Sequence, residues 1–210
     1  MSLRPGPLRD WVRQQGAEVD LELYLRRLQL AGAQTNLVGT LDPGRIWDEL
    51  LLDAVASWQL VPADVATVAD LGSGAGLPGL VWALLARSQG RALSVTLIEP
   101  RAKRVEFLQR SVVEMGLAAS VRTVKATLGG YLQRRPSDEP AYDLVTSRAV
   151  FPLADVVEVQ QPLSARYQLV HASVEDLATW QSPAAWRECE RRQYDPDGAR
   201  PRAYVVICRA

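Results

Sequence analysis

The feature that most narrows the fold is the run Asp70-Leu71-Gly72-Ser73-Gly74-Ala75-Gly76-Leu77-Pro78-Gly79, set between two apolar segments. Residues 65–71 read as a short buried strand and residues 80–87 as a helix. Residues without a Cβ accept positive φ and let the backbone approach a ligand closely, so strand, glycine turn and helix together predict a nucleotide-binding corner. The residues leave two chemistries open. Gly74-Ala75-Gly76-Leu77-Pro78-Gly79 satisfies the dinucleotide pattern G-x-G-x-x-G, and Glu99 follows at the distance of a ribose ligand, which fits NAD or a flavin. Against that reading, the glycines begin at Gly72 and Pro78 fits poorly between pyrophosphate-binding glycines. Asp70 also ends the strand where the charged amino-acid tail of a nucleoside cofactor would be met. Glu99 suits the ribose of either cofactor, because an ionised carboxylate offers two acceptor oxygens.

The pattern then repeats. Residues 93–99 read as a buried strand and 101–115 as a helix closed by Gly116, with further strands expected at 120–124, 142–147, 167–171 and 203–208. Alternating strands and helices predict an α/β fold with a mostly parallel, doubly wound sheet and its ligand at the carboxyl ends of the strands. Ahead of it, apolar residues at helical spacing predict two helices divided by Gly16, with Trp11, Val12, Val19, Leu21, Leu25 and Leu28 on buried faces. A third helix over 43–58 carries the stripe Ile46, Trp47, Leu50, Leu51 and Val55. The expected organisation is an N-terminal helical cap over 1–60 and a Rossmann-like domain over 61–210.

Lys and Arg total 24, as do Asp and Glu, so the chain as a whole has no strong field for a polyanion. The halves differ: residues 1–100 hold 8 basic and 11 acidic side chains, residues 101–210 hold 16 and 13, so a nucleic-acid face is expected in the second half. The two cysteines, Cys189 and Cys208, and the single histidine offer no metal site, and reduced thiols in a cytoplasmic protein are the expectation. No apolar run has the length of a membrane span, and no membrane partner is expected. His171, on an expected strand, reads as a hydrogen-bonded structural residue in preference to a base. Trp47, Trp58 and Trp82 read as core.

Asn36-Leu37, Leu51-Leu52-Asp53, the glycine block, Lys103-Arg104-Val105-Glu106-Phe107-Leu108 and Ser147-Arg148-Ala149 together resemble the GidB/RsmG family. Its members methylate N7 of a guanine in small-subunit ribosomal RNA. The resemblance runs from about Asn36 to Val150, with an echo at 202–207. It implies a Rossmann-like class I S-adenosyl-L-methionine-dependent methyltransferase whose partner is ribosomal RNA or the small ribosomal subunit. It also implies roles: Asp70, Gly72, Gly74, Gly76, Leu77 and Gly79 form the cofactor turn, Glu99 holds the ribose, and Leu128 and Gly129 flank the adenine. Arg148 stands beside the cofactor at the methyl-transfer centre, and Asn36 and Asp53 face the substrate.

The chain departs from the family pattern at defined positions. Leu50-Leu51-Leu52-Asp53-Ala54 replaces His-Ile-Leu-Asp-Ser, Thr127 and Gly129 replace an arginine and an acid, and His171-Ala172 replaces a lysine and a glycine. These changes keep two other functions open: a homologue that binds RNA or protein without catalysis, and a methyltransferase directed to another acceptor. Guanine N7 carries an in-plane lone pair, so its methylation requires no general base; alignment of nucleophile, methyl carbon and leaving sulfur is what the protein must supply.

Overall fold

Val68, Ala69 and Leu71 in one run, Val95, Leu97 and Ile98 in the next, and Leu144 and Val145 in a third are all buried, as strands covered on both faces require. The computed structural model describes residues 2–35, 37–198 and 200–210. The chain begins with β1 (Ser2–Leu3), α1 (Pro5–Gln14), α2 (Glu18–Thr35), α3 (Pro43–Arg45), a π-helical stretch (Ile46–Leu51) and α4 (Leu52–Trp58). There follow β2 (Thr67–Leu71), α5 (Gly79–Ser88), β3 (Ser94–Glu99), α6 (Ala102–Glu114), β4 (Val121–Lys125), α7 (Leu128–Arg134) and β5 (Tyr142–Ser147). It closes with α8 (Val156–Gln160), β6 (Ser164–Ser173), α9 (Val174–Thr179), β7 (Trp186–Tyr194) and β8 (Arg202–Arg209).

Among the described residues the strands form one sheet in the order β1-β7-β8-β6-β5-β2-β3-β4. From β4 through β3, β2 and β5 to β6 the pairing is parallel, and β8 runs antiparallel to β6 and β7. The order reverses at β2, which has β3 on one side and β5 on the other. A ligand crevice forms beyond the carboxyl ends of strands at such a reversal. The expected α/β class is therefore observed.

The N-terminal helices bury Leu8, Val12, Leu21, Tyr24 and Leu28 in one cluster with Leu80, Trp82 and Leu84 of α5. Trp82 is fully buried, and its indole N–H donates to the Ala54 carbonyl at 3.0 Å. Truncating it would cost about 3–5 kcal/mol in lost burial and cavity formation. Val19, expected on a buried face, is 77% exposed. The buried stripe of α2 runs Leu21, Tyr24, Leu28, and a residue two positions before Leu21 lies on the opposite side of the helix. No helix among the described residues is long and apolar enough to cross a membrane.

Two expectations near the C-terminus are corrected. β7 was not expected, because its interior is Arg187-Glu188-Cys189-Glu190-Arg191-Arg192 and only the ends, Trp186 and Tyr194, are buried. β7 lies between β8 and the two-residue β1, which pairs with Gln193 and Tyr194, and a strand with so little core contact lacks the alternation that marks a half-buried one. Cys189 and Cys208, expected as thiols, form a disulfide between β7 and β8 with a Cα–Cα distance of 6.1 Å. Cys189 lies where the β7–β8 register shifts, between Glu188 and Glu190.

Candidate active site

The glycine turn is held from three sides. Gly72 and Ser73 donate backbone N–H bonds to the Ile98 carbonyl of β3 at 2.8 and 3.2 Å, tying the turn to the neighbouring strand. The buried Tyr24 hydroxyl of α2 donates to the Ala75 carbonyl, so the N-terminal helices reach the turn. From the loop after β5, Val150 leans over Gly72: a Cβ at Gly72 would stand 2.5 Å from a Val150 methyl. Gly74 has φ +57°, a conformation side-chain-bearing residues rarely adopt, and its N–H points to a carboxylate.

That carboxylate is Glu99, at the end of β3. Its Oε2 accepts from the Gly74 N–H at 2.9 Å and its Oε1 from the Arg101 N–H at 3.0 Å, with Arg104 at 4.0 Å from Oε2. Each oxygen keeps a lone pair beyond these bonds. Asp70, expected to meet a cofactor tail, is fully buried, and its Oδ2 accepts from the Gly79 N–H at the start of α5 at 3.0 Å. Its Oδ1 is buried with no hydrogen-bond partner among the described residues. Burial pushes the Asp70 carboxyl up to about 7, against the opposing pull of the Gly79 N–H and the Arg148 charge.

Arg148 follows β5 and joins a buried ionic cluster. Its guanidinium pairs with Asp53, which also receives Arg202 at 3.0 Å and the Tyr204 hydroxyl. Asp53 was expected to face substrate; at 1% exposure, with both oxygens engaged, it serves as the shared counter-ion of two arginines. Burial works against its charge, and Arg148 and Arg202 outweigh that, holding the carboxyl below the ordinary range. The residue after Arg148, Ala149, has φ +56°, an uncommon conformation for a non-glycine residue.

His171 stands beside this cluster, edge-on to the Tyr204 ring at 5.5 Å. The Thr146 hydroxyl donates its one proton to the Leu169 carbonyl at 3.1 Å, which assigns the proton on the 3.1 Å contact between His171 Nε2 and Thr146 Oγ1 to the histidine. Nδ1 is then bare, and it is buried without a partner among the described residues. Burial, with Arg148 and Arg202 nearby, lowers the His171 pKa to about 4, so the ring is neutral at pH 7. The structural reading of this residue agrees with its hydrogen bond to Thr146.

A cleft of about 560 Å³ opens on this cluster, walled by Leu50, Ala149, Ala172, Val174 and Pro201, with Arg148, Asp53 and Arg202 at its base. Asp70, the turn glycines and Glu99 thus gather at the tips of β2 and β3, and Arg148 links them to the cleft at the tip of β5. Leu128 and Gly129 open α7, where Leu128 packs on the small core cluster that contains Ile98. Asn36 lies outside the described residues. Arg202, Tyr204 and Tyr24 were not expected in the site; the echo at 202–207 was the available signal for the first two, and nothing in the spacing marked Tyr24.

A family model described as rRNA small subunit methyltransferase G matches residues 17–175. The ribosomal RNA small subunit methyltransferase G of Salinispora tropica is 42% identical over 142 residues, covering 67% of this chain and 57% of that protein. The protein of the same name from Mycolicibacterium smegmatis is 42% identical over 131 residues, covering 61% and 51%. The chain spans about half the length of the curated relatives it matches. Among solved structures, M. capricolum TrmK in complex with S-adenosyl-homocysteine superposes with a TM-score of 0.58 at 12% identity, over 75% of this chain and 67% of that one. The putative methyltransferase yhhF from Escherichia coli gives 0.56 at 19%, over 76% and 84%. At these identities the structures show the fold, while the sequence match over most of the chain decides kinship: this chain belongs to the GidB family of rRNA small subunit methyltransferase G proteins.

Proposed function

We propose that this chain is an S-adenosyl-L-methionine-dependent methyltransferase that acts on N7 of a guanine in small-subunit ribosomal RNA. The observation that carries the reading is the Ser147–Val150 loop, which touches both halves of the site: Val150 covers Gly72, and Arg148 lines the cleft. The turn fits the cofactor on three counts. Gly74 leaves room where a side chain would intrude, Glu99 has free lone pairs for ribose hydroxyls, and the orphaned Asp70 Oδ1 is an unspent acceptor beneath the turn. The relative TrmK carries the demethylated form of the same cofactor.

When bound, the cofactor supplies an electrophilic methyl group on a sulfonium. The protein's part is to hold and orient. Glu99 and the turn fix the nucleoside end, and Arg148, itself braced by Asp53, presents a planar fork of donors to the entering base. Leu50, Ala149 and Ala172 give the cleft an apolar wall. Positioning of this kind lowers a barrier by about 7–11 kcal/mol without a proton acceptor. The apolar wall made by Leu50 and Ala172 also favours a second reading, transfer to a different acceptor.

Calorimetric titration with S-adenosyl-L-homocysteine tests the cofactor site. Gly74→Val should reduce affinity at least tenfold with an unchanged circular dichroism spectrum, and undiminished binding would remove the turn from the site. Transfer of tritiated methyl to undermethylated small subunits separates the acceptors: binding of cofactor without such transfer supports the second reading.

A further inference from the structure

Most cations of the described residues are engaged by acids or by carbonyl oxygens. Arg101, Lys103, Arg110 and Lys125 are exposed, and their side chains form neither an ion pair nor a hydrogen bond; among the described residues Arg187, on β7, is the other in that state. The four lie on neighbouring elements. Lys125 ends β4 and is the register partner of Glu99 at the end of β3, Arg101 follows Glu99 by two residues, and Lys103 and Arg110 stand on α6. Lys103 and Arg110 are two helical turns apart, on one face and separated by about 10 Å. Both line a groove of about 500 Å³ between α6 and α2. Arg27, which also lines it, pairs with Glu114 and stands over the Phe107 ring at 6.0 Å, while Glu106 is the groove's one acid without a partner among the described residues.

The sheet order sets these cations apart from the cleft. β3 and β4 lie on one side of β2 and its glycine turn, β5 and β6 on the other. The cleft itself is poorly suited to a chain of phosphates: Glu49, Asp53 and Glu175 line it, and its arginines, Arg148, Arg200 and Arg202, each already pair with an acid. Neighbouring unpaired cations repel one another, and an anion that spans them relieves the repulsion. A nucleic-acid strand carries one negative charge per about 3.4 Å, so the span from Lys103 to Arg110 matches about three consecutive phosphates.

We propose that Lys125, Arg101, Lys103 and Arg110 form a track for the sugar–phosphate backbone of the ribosomal RNA on the β3–β4 flank, while the base to be modified enters the cleft on the β5–β6 flank. The proposal rests on ribosomal RNA being the substrate. It divides the work: the track supplies affinity and its dependence on salt, and the cleft accepts the base. From β5 to β4 is three strand spacings, about 14 Å, so the engaged phosphates stand about four residues of stacked strand from the acceptor base.

The test is fluorescence anisotropy of a labelled single-stranded RNA of about 20 nucleotides with the full chain, over a series of KCl concentrations. It compares wild type, the triple variant Lys103→Gln/Arg110→Gln/Lys125→Gln, and Arg187→Gln as an unpaired cation elsewhere on the sheet. Arg101 stays in place, because its N–H holds Glu99. The triple variant should lose about tenfold or more in affinity at about 0.1 M salt, and its plot of log K against log salt should be flatter by about 2. Its affinity for S-adenosyl-L-homocysteine should be unchanged, and Arg187→Gln should match wild type. A triple variant that binds RNA as wild type does, or an equal loss per charge in Arg187→Gln, would overturn the track and leave the proposed activity standing. Displacement of the RNA by poly-L-glutamate at equal charge would overturn RNA as the occupant in favour of an acidic protein. Absence of RNA binding by wild type would also overturn the track; absence of methyl transfer to undermethylated small subunits as well would overturn the ribosomal reading on which it rests.

Discussion

Replacing Asp53 by asparagine keeps its shape and removes the charge on which Arg148 and Arg202 converge. The two guanidinium groups are 21% and 30% exposed on their side chains, so neither is well hydrated once its counter-ion is gone. Breaking a buried pair by deleting one partner costs about 3–5 kcal/mol. Partial solvent access to both arginines puts Asp53→Asn at the lower end, about 3 kcal/mol. For a chain of this length that is a fall in Tm of roughly 6–12 °C. Urea unfolding at pH 7 should show a reduced midpoint with an unchanged m-value. A second measurement separates charge from packing. The folded-state pKa of Asp53 lies below its ordinary value of 3.8. Its contribution is therefore complete above about pH 4 and is lost as pH falls through the folded-state value. The gap between wild type and Asp53→Asn should hold from pH 7 down to about pH 4 and narrow below it. A gap under 1 kcal/mol at pH 7, or one that persists unchanged into strong acid, would refute the shared counter-ion argument.

Two further outcomes follow from groups elsewhere in the fold. Asp70 behaves in the opposite sense to Asp53, since its pKa is raised to about 7: folding takes up a proton there, and stability falls as pH rises from about 4 to about 7. Asp70→Asn should flatten that slope in urea titrations, and an unaltered slope would show that Asp70 is ionised in the folded protein. Reducing Cys189–Cys208, which spans 19 residues of sequence, should lower stability by about 3 kcal/mol in the chain-entropy account. Equal urea midpoints with and without dithiothreitol, once two free thiols have been counted, would contradict it.

The β2–β3 corner was legible because its signals are local. A strand buried on both faces reads as an apolar run, and Gly72, Gly74 and Gly76 mark a turn with positive φ without reference to any other part of the chain. The partners of Arg148 were not legible in the same way. Asp53 stands 95 residues away, and Tyr204 lies on a strand that is inserted antiparallel beside β6. Nothing in the spacing of Leu51-Leu52-Asp53 distinguishes an acid that meets a ligand from one that holds two arginines. Asp70 has a structural partner that was equally hidden: a carboxylate at a strand tip suits a ligand, and the first turn of α5 also offers it the Gly79 N–H. β7 stayed hidden because a strand exposed on both faces spells charge where a half-buried one spells alternation.

The contact between the Tyr24 hydroxyl and the Ala75 carbonyl joins a helix of the cap to the loop on which the proposed cofactor rests. Through it the opening of α2 and that of the turn can be coupled. A molecule that binds only the ordered turn draws α2 into the closed state by its own binding free energy, and the coupling is reciprocal. Residues 18–35 then act as a sensor of occupancy: their amide hydrogen exchange reports on a site they reach through the Tyr24 hydroxyl.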